Sequence, residues 1–369
     1  MLKKRKVSFY QFVALVTLYT VGSTILVVPG SMAANSKQDA WIAAIIGVGA
    51  GLLLVWLYSA VGNYFPNQNL IELNETLLGK WLGKTVSLVF IFFTLTSCSQ
   101  VVFYLGNFLL SEIMPETPMI WIHILFMIVV VMGVRLGIES LARCAEILFP
   151  FFLILFIILT LSTFPQIKAN NIQPVLETGM KPIVWSALVF LSIASLTLIA
   201  LLVVFPAYVN NWKEMRKAFF IGHFIGGFIM VMIITLSIFV LGPFHTARYL
   251  YPSYELARRA TIGNFLERIE AILEVMWLFS LYIKTSLYFY ATVLGLGQIF
   301  KLKDYRPLTF PIGMMIVILS VSVYPNFAYQ QKWDTLTWVP YILTIGFFYP
   351  VLLLGVAIFR KNHLARVKK

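Results

Sequence analysis

Long apolar stretches recur along the whole chain, separated by short polar segments, and each is long enough to cross a ~30 Å hydrocarbon core as a helix. They predict about ten spanning helices, at roughly 8–30, 40–63, 85–111, 119–134, 145–164, 183–208, 217–242, 269–299, 308–324 and 337–359. Lipid offers no partner to a free backbone N–H or C=O, so such spans must be helical; the alternation of an outer-membrane barrel strand is absent. Between the second and third spans, 66–84 reads as a cytoplasmic interfacial helix with Leu70, Leu73, Leu77 and Leu78 on one side. The segment 165–182 reads as an external loop, and the long polar connection 243–268 as a short helix over the external face or a plain solvated loop. The predicted architecture is a single all-α transmembrane domain, residues 1–369.

The first span is interrupted. Tyr19-Thr20-Val21-Gly22-Ser23-Thr24 places a helix-weakening glycine beside hydroxyls that can satisfy freed backbone groups, and the span runs out at Pro29-Gly30. Past Gly22, free N–H groups and a half-helix dipole suit an anion, while carbonyls of the preceding half suit an ammonium, so a zwitterion satisfies both. A packing glycine at a helix crossing is the plainer alternative. Span six echoes the pattern in Ser192-Ile193-Ala194-Ser195-Leu196-Thr197 and in Phe205-Pro206, though without a glycine. The two spans run in opposite directions, as an inverted repeat requires.

Two polar faces stand out. Ser97, Gln100, Tyr104, Asn107 and Ser111 of span three fall within an arc of about 80°, from the membrane centre to the external end. They read as the wall of an outward vestibule, or alternatively as interhelical hydrogen-bond glue. In span eight, Glu270, Glu274, Lys284 and Tyr288 share one face, with the glutamates at the external rim and Lys284 near the midplane. Lys284 and Glu274 are about 15 Å apart along the helix, so the lysine needs another partner. Three roles remain open for it: a fixed charge standing in for a coupling cation, a titrating group, or a structural lysine on the carbonyls of a broken helix.

Composition agrees with the membrane reading: 60% of residues are hydrophobic, 12% are charged and mean hydropathy is +0.87. The net charge of +13 does not indicate nucleic acid, because it is distributed by topology. With the N-terminus inside, 19 of the 28 Lys and Arg residues are cytoplasmic, 8 are external and Lys284 lies within a span, so both termini are expected in the cytoplasm. The basic ends, Lys3 to Lys6 and Arg360 to Lys369, then face anionic headgroups of the bilayer. The first apolar run lacks a small-residue cleavage site, so no cleavable signal is expected. Cys98, Cys144 and four scattered histidines provide neither a disulfide framework nor a metal site. No nucleophile stands beside a base, so neither an enzyme nor a cofactor is expected.

The segment Gly22-Ser23-Thr24-Ile25-Leu26-Val27-Val28-Pro29-Gly30 resembles the Gly-Ser-Gly-Ile-Phe-x-x-Pro-Gly segment of the amino acid–polyamine–organocation superfamily, with Thr24 in place of the second glycine. More specifically, Glu267-Arg268-Ile269-Glu270, then Trp277 and Lys284-Thr285-Ser286-Leu287-Tyr288, resemble the GerAB-type spore germination proteins. That resemblance implies a LeuT-like fold of two inverted repeats, about 8–164 and 183–359, with helices 1 and 6 broken. It also implies a B subunit of a nutrient germinant receptor in the endospore inner membrane. Such a subunit acts with A-type and C-type subunits and senses a small nutrient, commonly an amino acid. The ligand region it implies lies among spans one, three, six and eight: Gly22, Ser23 and Thr24; Cys98 and Gln100; Ser192, Ser195 and Leu198; and Lys284, Thr285 and Tyr288. Tyr104, Asn107, Glu270 and Glu274 would line the vestibule. A working amino acid transporter coupled to protons or another ion is the main alternative, and an assembly scaffold with a vestigial site is another.

Overall fold

The computed structural model describes residues 7–64, 68–208, 211–260 and 268–367, with side chains described up to Arg360 except at 327. Eight helical runs among them are long and apolar enough to cross a membrane, and two shorter apolar helices accompany these, Phe9–Val21 and Arg306–Ser322. Helices α1 (Phe9–Val21) and α2 (Thr24–Ser36) are the halves of the first predicted span, followed by α3 (Ala40–Tyr64). Next come α4 (Leu70–Leu78), α5 (Lys80–Glu112), α6 (Met119–Leu136), α7 (Ile138–Thr163) and α8 (Met180–Ala194), the last continued by a 3₁₀ segment, Leu196–Val203. Then follow α9 (Trp212–Leu241), α10 (Pro243–Arg248), α11 (Pro252–Arg259), α12 (Glu270–Ile299) and α13 (Thr309–Ser322). The chain closes with α14 (Phe327–Lys332), α15 (Trp338–Leu343) and α16 (Tyr349–Val367), joined by two π-helical stretches, Trp333–Thr337 and Thr344–Phe348.

Both expected interruptions are present, and they differ in kind. A capping box starts α1, with the Ser8 hydroxyl accepting from the Gln11 N–H and the Gln11 side chain accepting from the Ser8 N–H. The helix closes at Gly22, whose N–H donates to Leu18 O at 2.9 Å while its backbone turns to φ +21°. The second interruption, at Ser195, needs no glycine. It tightens α-helix into 3₁₀-helix, and hydroxyls take up carbonyls around it: Ser192 Oγ donates to Val189 O at 2.7 Å and Thr197 Oγ1 to Ile193 O at 2.9 Å.

Several boundaries move relative to the hydropathy reading. The first span does not stop at Pro29-Gly30 but continues to Ser36. Pro29 cannot donate to Ile25 O; Ser253 Oγ of α11 fills that vacancy at 2.7 Å. The interfacial helix is shorter than expected, ending at Gly79, whose φ of +84° turns the chain directly into α5 at Lys80. The connection after α9 holds two short helices where one was expected, and 261–267, including Glu267 of the motif, lies outside the described residues. The largest difference is 325–336, expected as an external loop. From Ala328 it is helical and continuous with the tenth span, its polar residues having lowered local hydropathy.

Close helix approach holds the two halves of the sequence together. α1 packs along α9 because Gly222 and Gly226 leave no side chain in the way: a Cβ at either would press on Val16 or Thr20. Thr17 Oγ1 takes advantage of the approach, donating to Gly222 O at 3.0 Å.

Candidate functional site

The two interruptions face each other across one buried polar cavity. It is lined by Ser23 from the first break, Ile193 and Thr197 from the second, Ser97, Gln100, Val101 and Tyr104 of α5, Lys284 and Tyr288 of α12, and Trp338 of α15. The Tyr19 hydroxyl donates to Thr197 O at 2.9 Å, tying the first half-helix to the second break directly. The Trp338 indole donates to Ser192 O at 3.2 Å, tying α15 to the same turn. The cavity measures about 20 Å³, room for about one water and far less than an amino acid needs. The protein is therefore occluded around its centre.

Lys284 dominates this cavity. It is 1% exposed, and its ammonium donates to Ile193 O at 3.1 Å, the last turn of α8 before the break. The head lies over the Tyr19 ring at 5.3 Å, a cation–π contact in a dry setting. Its stem crosses the backbone at Gly22 so closely that a Cβ there would overlap Lys284 Cδ. One side chain from span eight thus touches both broken helices. The partner it needed is a backbone carbonyl and an aromatic face, and no carboxylate pairs with it among the described residues.

The remaining expected ligand residues divide sharply. Ser23, Gln100, Lys284 and Tyr288 line the cavity, and Gly22 adjoins it. Gln100 is buried with no side-chain hydrogen bond to a described residue, and Ser97 Oγ is likewise buried without a partner. Thr24, Thr285 and Ser192 are off the cavity, their hydroxyls donating to Thr20 O, Leu281 O and Val189 O of their own helices. Cys98 packs against α12 with Sγ 3.7 Å from Thr285 O. Ser195 points to the opposite side of the break, where its hydroxyl lies 3.3 Å from His223 Nε2 of α9, and Leu198 is buried away from the cavity.

Above the cavity the α5 stripe leads outward. The Tyr104 hydroxyl donates to Asp334 Oδ1 at 2.8 Å, and Asp334 lines an outer vestibule of about 390 Å³ bounded by α2, the α10–α11 connection and the tenth span. The Tyr104–Asp334 bond joins a wall of the inner cavity to a wall of the vestibule. Asn107 donates to the Tyr251 hydroxyl at 2.7 Å, and Tyr251 also lines the vestibule. Glu270 and Glu274 do not line it: Glu270 pairs with Arg268 at 3.5 Å and Glu274 interacts with Tyr254 of α11. Sequence reading missed Asp334 altogether, because it was placed in a loop. The available signal was Gln330 one turn earlier and Tyr324 nearby, polar residues abutting a long apolar run.

The chain matches known proteins in family and in fold. Residues 6–328 match the family model described as "Spore germination protein". Spore germination protein KB of Bacillus subtilis is 30% identical over 371 residues, covering 100% of this chain and 98% of that protein. Among solved structures, MhsT in complex with L-phenylalanine aligns with a TM-score of 0.69 at 14% identity, covering 96% of this chain and 99% of that one. Mhp1, a nucleobase-cation-symport-1 family transporter in a closed conformation, aligns with a TM-score of 0.66 at 11% identity, covering 92% of this chain and 76% of that one. These structural likenesses identify the fold as LeuT-like, with the breaks in its first and sixth spans. Matched across most of its length to the family model and end to end to a relative, the chain belongs to the spore germination protein family.

Proposed function

We propose that this chain is the nutrient-sensing B subunit of a germinant receptor in the spore inner membrane. A small nutrient of the amino acid type binds near the midplane between the two broken helices, and the resulting helix shift passes to A-type and C-type partner subunits. The observation that carries this reading is the convergence of both breaks and Lys284 on one small buried cavity. Family membership and the LeuT-like fold support it. In this reading the chain makes ten crossings in two repeats, about 8–164 and 183–359, with both termini cytoplasmic. The 41-residue run Thr24–Tyr64 turns at Lys37, so it holds the second half of the first crossing, α2, and the whole of the second, α3.

The occluded cavity fits a sensor in which the ligand selects a wider state. The shift it causes is limited by its differential affinity for the two states. The chain is not expected to catalyse a reaction. Deleting it from spores should abolish germination in response to one nutrient, and the wild-type chain should restore that response. An unchanged response to every nutrient would overturn the proposal.

Gln100 offers a sharper test of the site. Its amide faces the cavity unpartnered and is available to a ligand. Gln100→Leu should shift the nutrient dose response by roughly two- to tenfold, the worth of one hydrogen bond. An unchanged dose response would remove α5 from the ligand contacts.

A further inference from the structure

Asp334 is the group the proposed function leaves unexplained. It sits at the floor of the outer vestibule, 5% exposed, on the π-helical stretch Trp333–Thr337. A π-helical turn inside a long helix re-aims one side chain and is frequently found at functional sites. Oδ1 accepts from the Tyr104 and Tyr324 hydroxyls at 2.8 and 3.2 Å, and Oδ2 accepts from Gln330 Nε2 at 3.2 Å. A carboxylate offers about four acceptor sites, so one on Oδ2 is left over. No Lys or Arg pairs with it among the described residues.

A second observation points to the same spot. Gln330 is 4% exposed, and having turned its amide N–H₂ to Asp334 it leaves Oε1 buried without a partner. A spare acceptor site on Asp334 and the unpartnered Gln330 Oε1 thus belong to two bonded residues that both line the vestibule. Leaving such groups unmatched is costly in a low-dielectric setting, and a bound donor cation removes the cost. Lys332, Thr335 and Ser31 line the same space, where Lys332 supplies a positive charge.

We propose that the vestibule floor is a binding site, separate from the inner cavity, for a primary ammonium group held by Asp334 Oδ2 and Gln330 Oε1. A ligand that also carries a carboxylate is accommodated with that group toward Lys332, which makes an α-amino acid the favoured class. The vestibule of about 390 Å³ has room for one, unlike the inner cavity. Because Asp334 is also the acceptor of the Tyr104 bond, occupation of this site bears on the contact between the vestibule and the inner cavity.

The proposal does not depend on the receptor reading and can be tested on the purified chain in lipid nanodiscs. The readout is the thermal transition followed by tryptophan fluorescence during titration with L-alaninol hydrochloride, which has an ammonium and no carboxylate. Saturable stabilisation is expected, weakened at least tenfold in Asp334→Asn, weakened more mildly in Gln330→Leu, and retained in Gly49→Ala on α3, where an added methyl meets nothing within 4 Å. L-alanine should bind more tightly than alaninol. Choline chloride, lacking N–H donors, and potassium chloride should give no saturable effect at matched ionic strength. The site is refuted if alaninol does not bind, if it binds Asp334→Asn and Gln330→Leu as well as wild type, or if choline or potassium reproduces its effect.

Discussion

Lys284→Met is expected to leave the protein inserted in the membrane at normal levels while abolishing its nutrient response. The two effects separate because the lysine acts with opposite sign on each. A lysine at mid-bilayer depth carries an insertion cost of ~2.5–3.5 kcal/mol, which methionine removes while keeping much of the stem packing over Gly22. Methionine also removes the ammonium bond to Ile193 O and the contact with the Tyr19 ring, by which one side chain of α12 reaches both broken helices. A hydrogen bond from a charged group is worth ~1.5–3 kcal/mol, so losing it shifts the balance between helix arrangements by roughly ten- to a hundredfold. Membrane abundance and thermal stability in detergent should therefore be unchanged or raised, with the dose response lost. A variant that inserts and responds normally would make Lys284 a dispensable structural residue. Arginine is not a conservative replacement, since its planar fork has no room in a cavity of about 20 Å³.

Gly22→Ala should be strongly damaging, because it combines backbone strain with a steric overlap at the first break. The backbone there has φ +21° and ψ −120°, a conformation L side chains rarely adopt, and strain of that kind costs on the order of 1–3 kcal/mol. The added Cβ would also overlap Lys284 Cδ, forcing the lysine off Ile193 O. Loss of nutrient response with a lowered unfolding temperature is expected. Gly49→Ala is the matched control, because a Cβ at Gly49 on α3 meets nothing within 4 Å. The double variant Gly22→Ala with Lys284→Ala should be more stable than the sum of the singles allows, since it relieves the overlap and leaves only the backbone strain. Strict additivity would show that the lysine stem does not cross the break.

Much of this site was readable in the sequence, for identifiable reasons. Gly22 beside Ser23 and Thr24 announces an interruption because a helix-breaking residue stands next to groups able to satisfy the freed backbone. Lys284 announces itself because a lone charge in an apolar run has no cheap explanation. The α5 stripe was legible because α5 is a regular helix over its whole length, so the 100° step holds, and Ser97, Gln100 and Tyr104 all reach the cavity. Span six failed for the converse reason. Its change to 3₁₀ geometry after Ser195 alters the angular step, so Ser195 turns toward His223 while Thr197 reaches the cavity.

Asp334 was hidden by its own chemistry. A hydropathy window penalises Gln330, Gln331, Lys332 and Asp334 together and ends the helix that in fact carries them. Glu270 and Glu274 illustrate a different limit. Their shared face was inferred correctly from spacing, but what covers a face depends on long-range packing, and here Tyr254 of α11 meets Glu274. Local pattern reports which side of a helix is polar; only the assembled fold reports what stands opposite.

The central claim is that a nutrient is sensed between the two broken helices rather than carried past them. The most direct test is to follow labelled L-alanine, and other candidate nutrients, with the purified chain in proteoliposomes under imposed proton and sodium gradients. The account predicts saturable binding to the protein, weakened in Gln100→Leu and Lys284→Met, with no label accumulating in the lumen. Sustained, gradient-driven accumulation lost in the same variants would contradict it and make the chain a working transporter.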